Sequence, residues 1–314
     1  MNLEADRRAS VVATVGSFDG VHRGHMELLR SVVARARALG CRSMAVTFDP
    51  IPDLVLYPDR HVTVLSDREQ KEDLIRSLGI DHVLVLEFTR ELSMLRPEEF
   101  IGQLQAEHPL YEFWVGTDFA LGRDRSGTIA ALAEIGSKEG FALHVVPPVK
   151  LGPQIISSTY IRTLLVQGDV QRANELLGHR YAVTGVVARG AGRGRSLSFP
   201  TANLQLPATT SIPADGVYAA LVPLDGRPWP AVVNIGGRPT FDEAERLVEV
   251  HLLGFDGDLY DRRLSVEFVG RLRDVRRFGS VDELRGQIAR DVAAARDLPE
   301  LRVRHQSGQK APLP

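Results

Sequence analysis

Gly16-Ser17-Phe18-Asp19-Gly20-Val21-His22-Arg23-Gly24-His25 joins an apolar run, Val11 to Val15, to a segment in which Leu28, Leu29, Val32, Val33 and Ala36 recur at helical spacing. This order predicts a strand, a glycine turn and a helix. At the start of such a helix the first backbone N–H groups lack partners and the macrodipole is positive, so an anion is favoured there. Glycines let a phosphate come close to the backbone. His22 and His25 stand three apart and are expected to leave the same side of the first turn. Two imidazoles above a phosphate-binding helix end suit the steadying of charge that builds when a nucleophile attacks phosphorus. A metal pair is the weaker reading, because no cluster of Cys or His lies close by in sequence to complete three or four ligands.

From Val11 to about Val149, strand and helix patterns alternate. The strand-like runs are Val11 to Val15, Ser43 to Phe48, His82 to Phe88, Phe113 to Gly116 and Ala142 to Val146. Ser66 with Glu69 reads as a capping box before Leu74, Ile75 and Leu78, and Pro97 suits the first position of a helix through Phe100, Ile101 and Leu104. Repeated βα units imply an α/β domain with a doubly wound parallel sheet, whose ligands bind at the carboxyl ends of the strands. Unusual residues gather at that edge. Gly16, Phe18, Asp19 and Gly24 follow the first strand, Asp49 and Pro50 the second, and Gly116, Asp118 and Phe119 the fourth; Ser157, Ser158, Thr159 and Arg162 come shortly after the fifth. Taken singly, Asp49-Pro50 is a turn, the hydroxyls are a helix N-cap and Arg162 is a solvated charge. Together they form a nucleotide pocket.

A helical stretch, Val170 to Leu177, leads to a change of texture near Tyr181. Alternating runs then follow closely: Tyr181 to Val187, Gly216 to Val222, Ala231 to Ile235, Leu247 to Leu253 and Leu264 to Val269, with Asp225-Gly226 and Asp256-Gly257 as turn markers. Closely spaced strands without intervening helices predict a small antiparallel β-barrel. Ser280 and Glu283 cap a last helix with Leu284, Ile288 and Val292 on one face. The expected domains are residues 1–180 and 181–300, with 301–314 a flexible tail.

Composition agrees with an ordinary soluble globular protein of about two domains. The 314 residues are 44% hydrophobic and 25% charged, and the net charge of -2 implies no general affinity for nucleic acid or an anionic membrane. One cysteine, Cys41, excludes an intramolecular disulfide and fits a reducing cytoplasm. Met1 to Ser10 has no apolar leader core, and nowhere do 18 apolar residues run together.

Gly190 to Arg195 is glycine-rich, but Pro200 follows too soon for the helix that a dinucleotide finger needs. Gly192, Arg193 and Gly194 therefore read as a flap over a nucleotide. Thr201 and Asn203, just past Pro200, offer hydroxyl and amide oxygens two apart, donors that suit Mg²⁺ beside ATP phosphates. Glu249 in Val248-Glu249-Val250 faces away from the valines.

The full Gly16 to His25 pattern resembles the bacterial FAD synthetase branch of the nucleotidyltransferases. Thr47-Phe48-Asp49-Pro50, Gly116-Thr117-Asp118-Phe119-Ala120-Leu121-Gly122 and Ile156-Ser157-Ser158-Thr159-Tyr160-Ile161-Arg162 resemble the three further motifs of that family. The resemblance implies that Ser157, Ser158, Thr159 and Arg162 hold ATP phosphates and that the Asp118 loop helps hold adenine and flavin nucleotide. It also implies that His22, His25 and Arg162 stabilise charge as an FMN phosphate attacks the α-phosphorus.

Beyond Tyr181, the series from the flap through Pro200-Thr201-Ala202-Asn203, Gly216-Val217-Tyr218-Ala219, Asn234-Ile235-Gly236-Gly237, Glu249-Val250-His251, Asp258-Leu259-Tyr260 and Leu272-Arg273 is similar to riboflavin kinases. This implies that Thr201 and Asn203 hold Mg-ATP, that Arg273 belongs to the binding set, and that Glu249 takes the proton from the attacking ribityl hydroxyl. The two blocks are fused in the bifunctional riboflavin kinase/FAD synthetases, whose substrates are riboflavin, FMN and ATP. This chain departs from the family pattern at Ile51, Ser198, Asp261 and Val275. Two rival readings are a single-activity adenylyltransferase, which the C-terminal series opposes, and a flavin-binding sensor with an inactive barrel, which intact Thr201, Asn203 and Glu249 oppose. Oligomeric state is not legible.

Overall fold

The computed structural model describes residues 10–188, 199–237 and 246–301. The flap residues Gly192, Arg193 and Gly194, Ser198, the first nine residues and the tail beyond 301 lie outside them. The chain divides into two compact units, Met1–Ile161 with Leu176–Gly178, and Arg162–Glu175 with His179–Pro314.

The first unit contains β1 (Val11–Val15), α1 (Arg23–Leu39), β2 (Arg42–Phe48), α2 (Pro52–Leu56), α3 (Arg68–Ser77), β3 (His82–Leu86), α4 (Arg90–Ser93), α5 (Pro97–Glu107), β4 (Leu110–Gly116), α6 (Ile129–Glu139) and β5 (Ala142–Val146). The strands pair in parallel in the order β3-β2-β1-β4-β5. Sheet growth reverses beside β1, so the turn that follows β1 sits at the topological switch point, where ligands of open α/β sheets bind.

All five residues of β1 are buried. Val11, Ala13 and Val15 enter one apolar layer with Met44, Val46, Phe113 and Val115, and Val12 enters the other with Leu29, Val32, Ala36 and Ile75. Each Val, Leu, Ile, Met or Phe among them contributes about 1.5–3 kcal/mol on full burial. The one acid buried in this sheet, Glu112, takes both Nε and Nη2 of Arg35 and the indole N–H of Trp114, which stacks on His144 at 4.6 Å.

The helix cap near Ser66 differs from expectation. Asp67 and Gln70 form the capping box, with Gln70 N–H donating to Asp67 Oδ1 at 2.8 Å and Asp67 N–H to Gln70 Oε1 at 3.1 Å. Ser66 is drawn away because its hydroxyl accepts the Gly20 N–H at 3.0 Å.

After the short hairpin of β6 (Lys150–Leu151) and β7 (Gln154–Ile155) come α7 (Ser158–Gln167) and α8 (Val170–Leu177). The division between the units passes through α7, after Ile161.

The second unit closes β8 (Ala182–Ala188), β9 (Ala202–Gln205), β10 (Gly216–Leu224), β11 (Arg227–Gly237), β12 (Arg246–Leu252) and β13 (Arg263–Arg273) into a barrel ordered β10-β11-β12-β9-β8-β13. Closure leaves no exposed sheet edge. Asp225 (φ 52) and Gly226 (φ 77) make the two-residue turn between β10 and β11, the left-handed pair that matches strand twist. Trp229 on β11 lies under the Arg227 guanidinium at 3.5 Å. Asp261, where the family pattern has glycine, adopts φ 61; aspartate is among the few other residues that tolerate this region. β9 is a strand that the runs read from the sequence do not include, since four residues beside a proline carry little strand signal, and it pairs with both β12 and β8.

A last helix, α9 (Val281–Asp297), begins where Ser280 Oγ accepts the Glu283 N–H at 3.2 Å. Its most buried positions are Gln287, Asp291 and Ala295 rather than the apolar stripe alone. Asp291 is buried because Arg273 at the end of β13 reaches it with Nε and Nη2.

Candidate active sites

In the first unit the β1 turn is held from three sides. Gly16 N–H donates to the Val46 carbonyl at 3.0 Å, which fixes the turn to the end of β2. Asp19 is 1% exposed, and its Oδ1 accepts the N–H groups of Leu65 (2.9 Å) and Ser66 (3.2 Å). The Asp19 carbonyl accepts the Ser158 hydroxyl at 2.9 Å, tying the start of α7 to the turn. Gly20 has φ 75, and a Cβ there would stand 2.9 Å from Leu65, so backbone conformation and space both demand glycine.

His22 is the N-cap of α1, and its Nδ1 accepts the His25 N–H at 3.3 Å. A neutral imidazole that accepts at Nδ1 carries its proton on Nε2. The His22 and His25 rings stack with centroids 3.6 Å apart, and Phe18 meets His25 edge-on at 5.3 Å. Gly24 leaves room for this stack, since a Cβ there would lie 3.1 Å from the His22 ring. Burial first, then the His22 and Lys71 charges, hold the His25 imidazole well below its ordinary value of 6.5. Its Nδ1 is buried without a hydrogen-bond partner among the described residues.

Lys71 is a member of this site that the sequence reading missed. It lies on α3, is 2% exposed, and donates from Nζ to the Phe48 carbonyl at 2.6 Å. Burial lowers its ammonium from the usual value, and Asp19 and Asp49 oppose that shift. The available signal was its position four residues before Ile75, on the buried face of the helix.

The other strand-end residues differ in exposure. Asp49 follows β2, with its N–H on the Leu86 carbonyl at 3.0 Å. Ile51 is buried at the start of α2. Asp118 and Thr159 are exposed; Phe119 is half-buried against Phe113, 6.2 Å between centroids. Ser157 Oγ accepts the Tyr160 N–H at 3.3 Å as a helix cap. Arg162, half-buried one turn beyond Ser158, falls in the second unit, whereas both histidines belong to the first.

In the barrel, strand register does what sequence proximity does in the first unit. Glu249 on β12 lies directly opposite Asn203 on β9 and Asn234 on β11. Side chains directly opposite one another share a face of the sheet. The three therefore form a row across three strands, half-buried on the face away from Val248 and Val250. Asn234 Nδ2 donates to Glu249 Oε2 at 3.1 Å. Thr201 and Pro200 are exposed immediately before β9. His251, also on β12, lies 2.8 Å through Nδ1 from the Pro200 carbonyl. Asn234, His251 and Asp291 were not among the expected site residues.

Arg273 is engaged elsewhere. Its Nε and Nη2 hold Asp291 and its Nη1 donates to the Asp274 carbonyl at 2.9 Å. Among the described residues no group of three or more His, Cys, Asp or Glu side chains could hold a metal ion. Thr201 and Asn203 instead provide hydroxyl and amide oxygens, which fit a hard cation that keeps water and takes phosphate oxygens.

A family model described as FAD synthetase matches residues 4–160, and one described as riboflavin kinase matches residues 177–298. A Pseudomonas fluorescens protein named bifunctional riboflavin kinase/FMN adenylyltransferase is 40% identical, over 95% of this chain and 95% of its own length. The Escherichia coli K12 protein of the same name is 37% identical, over 94% and 95%. A solved structure titled as a macrolide-efflux protein from Streptococcus pneumoniae aligns with a TM-score of 0.84 at 30% identity, covering 95% of this chain and 98% of that one. Efflux is said of that protein alone; no helix among the described residues here is long and apolar enough to cross a membrane. With both family models matched in order and curated relatives aligned over nearly their whole length, the chain belongs to the bifunctional riboflavin kinase/FMN adenylyltransferase family.

Proposed function

We infer that the chain carries out two consecutive transfers from ATP, riboflavin to FMN on the barrel and FMN to FAD in the α/β unit. The observation that carries the first reaction to particular atoms is the row of Asn203, Glu249 and Asn234 across three adjoining strands. Glu249 takes the proton of the ribityl hydroxyl as its oxygen attacks the γ-phosphorus, and the bond to ADP breaks. General-base help of this kind contributes about 10²–10⁴ in rate. Thr201 and Asn203 hold the nucleotide beside it and are the ligands we assign to Mg²⁺, which when bound screens the phosphate charge. Gly192, Arg193 and Gly194, which lie outside the described residues, are assigned to the nucleotide from their sequence alone. Arg273 serves through its hold on Asp291, since its fork is already filled.

In the second transfer an FMN phosphate oxygen attacks the α-phosphorus of ATP, and pyrophosphate leaves. His22 offers Nε2–H to a phosphate oxygen, and His25, uncharged at neutral pH, works by hydrogen bonding rather than by full charge. Arg162 supplies the cationic fork, and Ser157, Ser158, Thr159 and the Gly16 and Gly24 backbone receive phosphates at the two helix starts. Phe18, Asp19, Asp49, Asp118 and Phe119 complete the nucleotide and flavin pocket. Residues 1–180 serve this transfer and residues 181–300 serve the kinase; Leu301, at the start of the expected tail, is instead buried at 3% exposure in a 3-10 turn from Pro299. A net charge of -2 and a single cysteine support a cytoplasmic protein with no nucleic-acid or membrane partner.

The test is a time course of the full-length protein with riboflavin, ATP and Mg²⁺, with the flavins separated by chromatography. FMN rises first and FAD follows. Absence of both products would remove the reading; FAD formed only from added FMN would leave a lone adenylyltransferase.

A further inference from the structure

Two polar side chains beside Glu249 are engaged in holding their neighbours. Asn234 donates to Glu249 Oε2 at 3.1 Å. That hydrogen bond fixes the direction of the carboxylate. His251 shares the strand and the face with Glu249 and places Nδ1 2.8 Å from the Pro200 carbonyl. A carbonyl only accepts, so Nδ1 carries the proton and donates it. Phe199 meets the imidazole edge to face with centroids 5.5 Å apart, which steadies the ring.

The Pro200 carbonyl and the Thr201 N–H belong to one planar peptide group. Fixing the carbonyl therefore fixes the direction in which the chain enters Thr201 and β9. Residues 249 and 251 lie ~6.8 Å apart along an extended strand, so the base and the Thr201 turn are both referred to one rigid element.

We propose that Asn234 and His251 are positioning residues of the phosphoryl-transfer site, Asn234 aiming the base and His251 setting the peptide plane that leads into Thr201. The proposal rests on the reading of Glu249 as the base and of Thr201 and Asn203 as the nucleotide turn. The two residues have separable consequences. Loss of Asn234 acts on the chemical step, and loss of His251 acts on nucleotide capture.

The experiment measures kcat and both KM values for riboflavin phosphorylation by the full-length protein carrying Asn234→Leu, His251→Leu or His251→Asn. Glu249→Gln and Thr201→Ala are assayed alongside, and urea unfolding checks that each barrel is folded. Asn234→Leu is expected to lower kcat ~10-fold with both KM values within about twofold, the effect of one lost hydrogen bond to a charged group. His251→Leu raises the KM for ATP ~5-fold with little change for riboflavin. His251→Asn, whose amide nitrogen takes the place of Nδ1, returns that KM to within about twofold of wild type.

If Asn234→Leu and His251→Leu leave these constants unmoved while Glu249→Gln and Thr201→Ala depress phosphorylation, the positioning roles are overturned and the site reading stands. If Glu249→Gln or Thr201→Ala is as active as wild type, the site reading itself has failed. A folded His251→Asn no better than His251→Leu reduces His251 to a structural prop and overturns its part.

Discussion

The two proposed phosphate sites are built in opposite ways. In the α/β unit the histidines, Asp19 and their glycines lie within ten residues, at one helix start, and the site's charge is buried: Asp19 is 1% exposed and Lys71 2%. In the barrel, Asn203, Glu249 and Asn234 come from three strands, meet only through register, and stay half-buried. The first construction places a helix dipole and buried charge at one point; the second places neutral amides on either side of one carboxylate. A parallel sheet offers ligands its strand ends, whereas a closed antiparallel barrel offers the face of its strands.

The sharpest break in this comparison is chemical. Glu249→Ala is expected to lower riboflavin phosphorylation by ~10²–10⁴-fold, while FAD formation from supplied FMN stays near wild type. Loss of FAD synthesis in that assay would mean the two sites are not independent. Replacing both His22 and His25 with alanine does the reverse, lowering adenylylation by ~10²–10³-fold with FMN formation intact. An equal collapse of FMN formation in the folded variant would refute the assignment of the histidines.

Smaller effects probe how each site is supported. Asp291→Asn removes the counter-charge of Arg273, whose side chain is 21% exposed against 5% for Asp291. The expected loss is about 3 kcal/mol, the lower end for breaking a buried pair, read as a fall in the urea midpoint of the barrel. An unchanged midpoint would show that the Arg273–Asp291 pair does not hold α9 to the barrel.

The smallest effect is a pH dependence of the α/β unit. His25 titrates below 6.5 when folded, so below that pH the unfolded chain binds the proton more readily. Stability from this group is present above about pH 6.5 and is lost as pH falls from there through the folded value. Lys71→Met removes one charge that depresses His25, and its titration, followed by NMR, is expected to move up. A His25 titration unchanged in that variant would show that burial and His22 account for the depression.

The first site was legible because its signals are local. A strand, a glycine turn and two histidines on a helix start can be read in one pass, and the other clusters follow from the rule about strand ends. Lys71 was not legible, because a lysine in a charged helix reads as solvated unless its register against Ile75 is counted. In the barrel, Glu249 stood out through the motif series, but Asn234 and His251 became partners only when β11 and β9 aligned with β12. Asp291 was hidden for another reason: an acid on an amphipathic helix is assigned to the outer face until an arginine that reaches it, here the half-buried Arg273, is found opposite. Ser66 shows the limit of local motifs, since a hydroxyl with a distant backbone partner ceases to be a cap.

The chain has two tryptophans, and the division into units gives one to each: Trp114, stacked on His144 and bonded to Glu112, and Trp229, beneath Arg227. Each half of the molecule thus contains its own native optical reporter, and the two indoles sit in chemically unlike surroundings. Replacing either with phenylalanine leaves the emission of the other as a single-channel record, so unfolding of either half can be timed within the intact protein without attaching a dye.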